Sequence, residues 1–108
     1  MVHVAFMDDN LEPFLTALGW VVGYAVDDSD LEAVSNGLRD TDSEEGRWYE
    51  YEFHGRHRAD FALALDEAGS GVVRFRVELP EELAPQVRLF ADFCWQFHWH
   101  IPGQPRAG

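Results

Sequence analysis

Three consecutive segments in the second half of the chain alternate apolar and polar residues with a period of two. Their apolar positions are, in order, Tyr49, Tyr51 and Phe53; Ala59, Phe61, Leu63 and Leu65; and Val73, Phe75, Val77 and Leu79. Such alternation is typical of strands that bury one face and expose the other. Because short glycine-containing connections join the segments, they predict an antiparallel meander over 48–79.

The first connection of this meander is predicted to be a three-residue loop over 54–56. Directly paired residues share a face of the sheet, and both apolar sets are odd-numbered, so paired numbers must sum to an even value. A three-residue loop satisfies this rule and places Glu52 opposite Arg58. Gly55 is then expected to adopt the left-handed conformation that such loops use.

The first 26 residues predict two strands with a helix between them. Apolar residues alternate over 2–6, which indicates a short strand. Helical spacing over 10–18 predicts a helix that stops at Gly19, followed by a buried strand over 20–26. A continuous helix over 10–26 is the alternative, because periodicity cannot assign a wholly apolar run.

Two further helices are predicted from their starting signals. Ser29 and Glu32 match a capping box, which predicts a helix over about 30–38. Pro80 and the two acids that follow it predict the start of a longer helix over 81–98, since proline and negative charge both favour a helix N-terminus.

Together these elements predict an α+β fold in a single domain over 1–108, with 102–108 as a frayed tail. A mainly antiparallel sheet of four or five strands is expected to carry the C-terminal helix on one face. Short N-terminal helices would fill the remaining edge or face. The sheet residues expected beneath the C-terminal helix are Tyr49, Tyr51, Phe61, Leu63, Phe75 and Val77.

Charge is distributed unevenly along the chain. The formal net charge is −12, from 8 arginines and 20 acidic residues; residues 1–54 carry −11 and residues 55–108 carry −1. Such acidity argues against nucleic-acid and anionic-membrane partners. The longest uncharged stretch, 14–26, is too short to span a bilayer as a helix. Without a basic N-terminal segment typical of a signal peptide, a cytoplasmic location is expected.

Most of the acidic excess lies between residues 27 and 45, where Arg39 is the only basic residue. We expect this segment to bind a basic protein partner, which suggests a non-enzymatic interaction module. Its concrete form would be a bacterial inhibitor or immunity-type protein, whereas solubility alone is the alternative role of the charge. The predicted partner-binding residues are Asp27, Asp28, Asp30, Glu32, Asp40, Asp42, Glu44 and Glu45.

The predicted C-terminal helix is rich in aromatic residues. Five of them lie within ten residues: Phe90, Phe93, Trp95, Phe97 and Trp99. Trp95 and Trp99 lie off the main apolar stripe, so they predict a homodimer interface. The alternative is that N-terminal elements cover them within one chain. A dimer whose only role is assembly is a third hypothesis.

A small-ligand-binding protein or minor enzyme is the alternative functional hypothesis. Its pocket would lie between the sheet and the aromatic helix, with an anionic group oriented by arginine. The residues predicted to line it are Tyr51, Phe61, Arg74 and Arg76, beside Trp95. No catalytic residue and no cofactor is predicted, because the chain lacks lysine, a nucleophile elbow and a phosphate-binding loop.

Metal binding has little support in the sequence. Cys94 and His98 lie four residues apart on the predicted helix, a spacing that allows chelation, but the chain has no second cysteine. The segment 40–44 begins like a calcium loop, yet Glu45 stands where that loop needs glycine. We therefore expect no metal site. The lone cysteine also excludes an internal disulfide.

Overall fold

The computed structural model describes residues 1–41, 47–66 and 71–96. Within these ranges the fold is α+β, as the alternating segments predicted. Its elements are β1 (Val2–Met7), α1 (Leu11–Val22), α2 (Asp28–Thr41), β2 (Tyr49–His54), β3 (Arg58–Leu65), β4 (Val72–Glu78) and α3 (Ala84–Gln96). Short 3₁₀ turns, Asp8–Asn10 and Glu81–Leu83, precede α1 and α3. The predicted tail and the last residues of the predicted C-terminal helix lie outside the described ranges.

The four strands form one antiparallel sheet in the order β1-β4-β3-β2. The meander β2-β3-β4 is the predicted one, and β1 adds to its far side with Phe6 opposite Val73. In the centre Leu63 lies opposite Phe75. Because successive side chains point to opposite faces of a strand, one sheet face is apolar and the other is charged.

All three helices cover the apolar face. In the middle lies α1, whose Phe14 stacks on Phe6 with ring centres 4.2 Å apart and meets Phe75 edge-on at 4.9 Å. On one side of it α2 packs against β2 and β3, and on the other side α3 packs against β1. None of these described helices combines the length and apolar character that crossing a bilayer requires.

The predicted position of α3 over the tyrosines of β2 is wrong. That part of the sheet is covered by α2, whose Gly37 lies so close to the ring of Tyr49 that a β-carbon there would overlap it. The chain leaves β4 next to β1, and a connection of five residues brings α3 onto β1 instead. Gly37, which weakens α2 by propensity, permits this close approach.

The first helix continues through the predicted stop at Gly19, so the predicted strand over 20–26 does not form. It ends at Gly23, which has the left-handed φ of 73°. The amide of Tyr24 donates to the carbonyl of Gly19 at 2.8 Å, which closes the helix end. A β-carbon at Gly19 would lie 2.6 Å from the Tyr24 carbonyl oxygen. Glycine therefore serves here to let the chain fold back on the helix.

The capping box of α2 lies two residues earlier than predicted. The amide of Asp30 donates to Oδ1 of Asp27 at 2.9 Å, and the amide of Asp27 donates to Oδ2 of Asp30 at 3.1 Å. This reciprocal pair starts the helix at Asp28. Ser29 and Glu32 are therefore already inside the helix.

The turn between β2 and β3 occupies residues 55–57, one residue later than predicted. Glu52 lies opposite Asp60, and His54 lies opposite Arg58. The paired numbers still sum to an even value, so the facing of the two strands is as predicted and only the register differs. Arg58 nevertheless reaches Glu52 diagonally, with Nη2 3.0 Å from Oε2.

A contact with α1 explains this register. The amide of His57 donates to the carbonyl of Val22 at 3.0 Å, which draws the turn onto the end of α1. Gly55 does not have the predicted left-handed conformation. Among the described glycines, those with positive φ are Gly23 and Gly71. Instead a β-carbon at Gly55 would lie 2.5 Å from the Val22 carbonyl oxygen. Close approach, and not turn conformation, requires glycine there.

Candidate functional site

The outer face of α1 forms the floor of a groove between α2 and α3, which we call the α1 groove. It encloses about 630 Å³. Three acidic residues, Asp8, Asp9 and Glu12, line it near the start of α1. Apolar side chains line it elsewhere, with Trp20 on α1, Leu31 on α2 and Phe90 on α3 as the largest.

The α1 groove has a one-sided charge. Its lining includes three carboxylates and no basic residue, and none of the three forms an ion pair with a described residue. An uncompensated cluster of this kind produces a negative potential that attracts cations.

Trp20 is the most exposed large apolar side chain in the described part of the protein, at 79%. Tryptophan usually buries most of its surface, so this exposure is unusual. Leu89 and Phe93 of α3 are also exposed, at 57% and 48%, and flank Phe90 in sequence. The helical layer thus exposes three large apolar side chains, one on α1 and two on α3.

The acidic residues predicted to bind a partner fall into three groups. Asp27, Asp28, Glu32 and Asp40 are exposed on or beside α2. Neither Asp28 nor Glu32 is among the residues that line the α1 groove, to which α2 contributes Leu31 and Ser35. The remaining predicted residues, apart from Asp30, lie outside the described ranges: Asp42, Glu44 and Glu45.

The prediction that Asp30 lies on the surface is wrong, since only 6% of the residue is exposed. The hydroxyl of Tyr24 donates to its Oδ2 at 2.8 Å, and the hydroxyl of Tyr51 donates to its Oδ1 at 2.7 Å. We call this group the Asp30 cluster. It ties the start of α2 to β2 and therefore belongs to the fold, not to a binding surface.

The Asp30 cluster changes the acidity of its members. Burial raises the pKa of Asp30, but the hydrogen bonds from Tyr51, from the Asp27 amide and from Tyr24 together lower it below its ordinary value. The same carboxylate, by accepting the phenol hydrogen bond, raises the pKa of Tyr51 to about 12. The cluster therefore holds an ionised aspartate and two protonated tyrosines at neutral pH.

The side chains of the four residues predicted to line a ligand pocket do not converge, although Tyr51, Phe61 and Arg76 all border one depression on the helix-free face of the sheet. Tyr51 and Phe61 lie on the helix-covered face of the sheet, where Phe61 is buried. Arg74 and Arg76 lie on the opposite face and stack on Trp48, with guanidinium carbons 5.2 and 4.4 Å from its ring centre. The strand alternation separates the two pairs, so the predicted pocket between sheet and helix is not formed by them.

The helix-free face of the sheet is a ladder of mixed charge. Arg58 bridges Glu52 and Asp60, at 3.0 and 2.9 Å, and His54 lies 3.0 Å from Glu52. A shallow depression of about 720 Å³ lies over this ladder. These charges pair with one another and are about half exposed, which weakens their potential. Glu50 and Glu78, which also line the depression, form no ion pair with a described residue.

Cys94 is fully buried in α3, with its carbonyl accepting a 2.6 Å hydrogen bond from the Asn10 side-chain amide. Desolvation raises the pKa of its thiol to about 11. Its predicted metal partner, His98, lies outside the described ranges. Within those ranges, no three groups from His, Cys, Asp or Glu come together in a way that could hold a metal ion.

We expect thiol reagents to modify Cys94 about 100-fold more slowly in the folded than in the unfolded protein, because the raised pKa depletes the thiolate. Both rates are measured at mildly alkaline pH from the chromophore that a disulfide reagent releases when it reacts with the thiol. A Ser29→Cys variant supplies an exposed thiol in the same chain as the fast control. If the two cysteines reacted at one rate in the folded protein, the thiol of Cys94 would be in water.

The predicted dimer interface is described only in part. Trp95 is 49% exposed on α3, and Trp99 lies outside the described ranges. Half exposure fits either an interface or a surface side chain, so the homodimer stays a prediction.

Sequence reasoning missed the α1 groove because it took the apolar run around Trp20 to be buried. The available signal was the spacing of Glu12, Thr16 and Trp20, which lie four residues apart and so share one helix face. Two polar residues on that face indicate that it is exposed.

The chain was compared with protein-family models, with curated proteins and with solved structures, and none of the three comparisons finds a match.

Proposed function

We propose that the protein is a non-catalytic interaction module that binds a basic protein through its helical layer. The observation that carries this proposal is the α1 groove, whose lining combines a tryptophan that is 79% exposed with three carboxylates that form no ion pair with a described residue. Exposed apolar surface supplies affinity, and uncompensated charge supplies attraction and selectivity. An inhibitor or immunity-type protein that masks a basic partner is the form of this function that we favour.

The distribution of charge over the molecule supports the helical layer as the binding side. On the sheet face Glu52 and Asp60 are paired with Arg58, whereas Asp9 and Glu12 in the α1 groove have no described ion-pair partner. Asp28 and Glu32 add two exposed carboxylates on α2. These carboxylates would attract a basic partner to the helical layer.

Charge reversal tests this proposal directly. We expect the double variant Asp9→Lys with Glu12→Lys to weaken binding of a lysine–alanine peptide by about tenfold, since opposite charges at short range contribute at least this much at low salt. Isothermal titration calorimetry at low and high ionic strength measures the dissociation constant. For the unchanged protein, the constant should rise about tenfold with salt.

The matched control reverses the same number of charges elsewhere. Glu81 and Glu82 are exposed at the turn before α3, away from the groove lining. Their double lysine variant should bind the peptide within about twofold of the unchanged protein after correction for net charge. Equal losses in the two double variants, or binding that ignores salt, would contradict the proposal.

A further inference from the structure

We infer that the α1 groove receives a cationic amphipathic helix of the partner protein, with basic residues against Asp8, Asp9 and Glu12 and an apolar anchor on Trp20. This inference rests on the proposed function and deepens it by naming the class of segment that binds. Three features of the groove support it: its helical walls, the spacing of its two ends and its charge.

The walls of the groove favour a helix as occupant. Its floor is α1 and its sides are α2 and α3, so the side chains of helices form most of its lining. An extended segment gains affinity mainly by pairing its backbone with a sheet edge, which this surface does not offer. A helix satisfies its own backbone and can lie between helices by side-chain packing alone.

The distance between the two ends of the groove determines how far apart the basic and apolar residues of the occupant should lie. Glu12 and Trp20 are eight residues apart on α1, which corresponds to about 12 Å along the helix axis. A partner helix lying along α1 would therefore carry its basic residues about two turns from its apolar anchor. Leu31 and Phe90, both half-buried, would pack on either side of that anchor.

The negative charge of the groove favours an occupant with positive charge. All three ionisable lining residues are acidic. A neutral or acidic amphipathic helix would bury or approach these carboxylates without a counter-charge, which costs free energy. Lysine or arginine at that end of the helix would compensate them.

Two peptides of identical composition test the inference. One places three lysines two turns from a leucine pair on the same helix face, and the other scrambles the same residues. We expect the patterned peptide to bind at least tenfold more tightly than the scrambled peptide, because only the patterned peptide engages both ends of the groove. Calorimetry measures affinity, and the indole N–H signal of Trp20 in an NMR spectrum reports the site.

Two tryptophan variants locate the anchor. Trp20→Ala should remove the advantage of the patterned peptide while leaving the binding of the scrambled cationic peptide unchanged. Trp95→Ala, at a half-exposed tryptophan outside the groove lining, should leave both affinities unchanged. Trp20 is largely exposed, so its replacement is not expected to unfold the protein.

The outcomes separate this inference from the proposed function. If both peptides bind equally and with strong salt dependence, the acidic surface binds cations but the groove does not select a helix, and only the inference fails. If neither peptide binds at low salt, both fail. If Trp20→Ala leaves the advantage of the patterned peptide intact, the anchor is not in the α1 groove and the inference is overturned.

Discussion

Replacing Asp30 with alanine is expected to lower the free energy of unfolding by about 3 kcal/mol, because two tyrosine hydroxyls and a helix cap lose a charged acceptor together. Its two oxygens accept hydrogen bonds from Tyr24 and Tyr51, and its Oδ2 also accepts from the Asp27 amide. For a chain of this length such a loss corresponds to a fall in Tm of roughly 10 °C. Thermal and urea unfolding, followed by circular dichroism, measure the change.

Tyr51→Phe is the matched control for that variant. It removes one hydroxyl from the Asp30 cluster and leaves the ring, the carboxylate and the helix cap in place. A smaller loss of about 1.5 kcal/mol is expected, which is the usual contribution of one hydrogen bond to a charged group. Equal losses in the two variants would show that the carboxylate has no role beyond its bond to Tyr51.

The contribution of Asp30 should also depend on pH. Its folded-state pKa lies below the ordinary value of 3.8, so ionised Asp30 stabilises the folded protein above that pH. This stabilisation is lost as the pH falls through the lowered pKa. The difference in stability between the unchanged protein and Asp30→Asn should therefore be constant near neutrality and shrink below about pH 4.

A single added methyl group at Gly55 is expected to destabilise the protein by about 3 kcal/mol, at the upper end of the usual cost of overpacking. The new carbon would lie 2.5 Å from the Val22 carbonyl oxygen and 2.6 Å from the carbonyl carbon of Gly23. Both are backbone atoms, so neither can move aside as a flexible side chain would. The turn would have to withdraw from α1, and the His57 hydrogen bond to Val22 would weaken.

Gly71→Ala provides the comparison for Gly55→Ala. Gly71 has a φ of 73°, which is unfavourable for alanine, but the nearest atom to its added carbon would be 3.6 Å away. The expected loss of stability in Gly71→Ala comes from the unfavourable backbone conformation and is about 1 kcal/mol. Urea unfolding should rank Gly55→Ala as the more destabilising variant. The reverse order would mean that the turn and α1 are less tightly packed than their contacts indicate.

The periodic part of the sequence predicted the sheet well. Strict alternation in β2, β3 and β4 fixes which side chains share a face, and the even sum of paired residues follows from it. The register of the β2–β3 turn did not follow, because it depends on the bond between His57 and Val22, which are 35 residues apart in sequence. Local turn rules contain no information about such a contact.

The helical half was harder to predict for a different reason. Apolar residues fill 17–26 so densely that neither period stands out, so the end of α1 at Gly23 could not be placed. The role of Gly19 depends on the returning chain at Tyr24, and the position of α3 depends on where α2 already lies. Both are consequences of tertiary packing.

The sequence placed the acidic binding surface over 27–45 and did not predict the α1 groove. Negative charge in the first half indicated a basic partner, yet Asp30 in that segment is held by Tyr51, 21 residues away. The burial of one acid among several exposed ones cannot be read from a run of acidic residues. The α1 groove requires the packing of three helices, of which α3 lies at the far end of the chain.

The stacking of Trp48 on two arginines gives this two-layer protein a partial third layer. Ala62 and Ala64 point away from the helices, yet they are only 4% and 7% exposed. The strand register places Arg76 beside Ala62 and Arg74 beside Ala64, so the arginine stems and the indole shield the middle of the sheet from water. The arginine stems and the indole therefore protect the strands from water on the face that carries no helix.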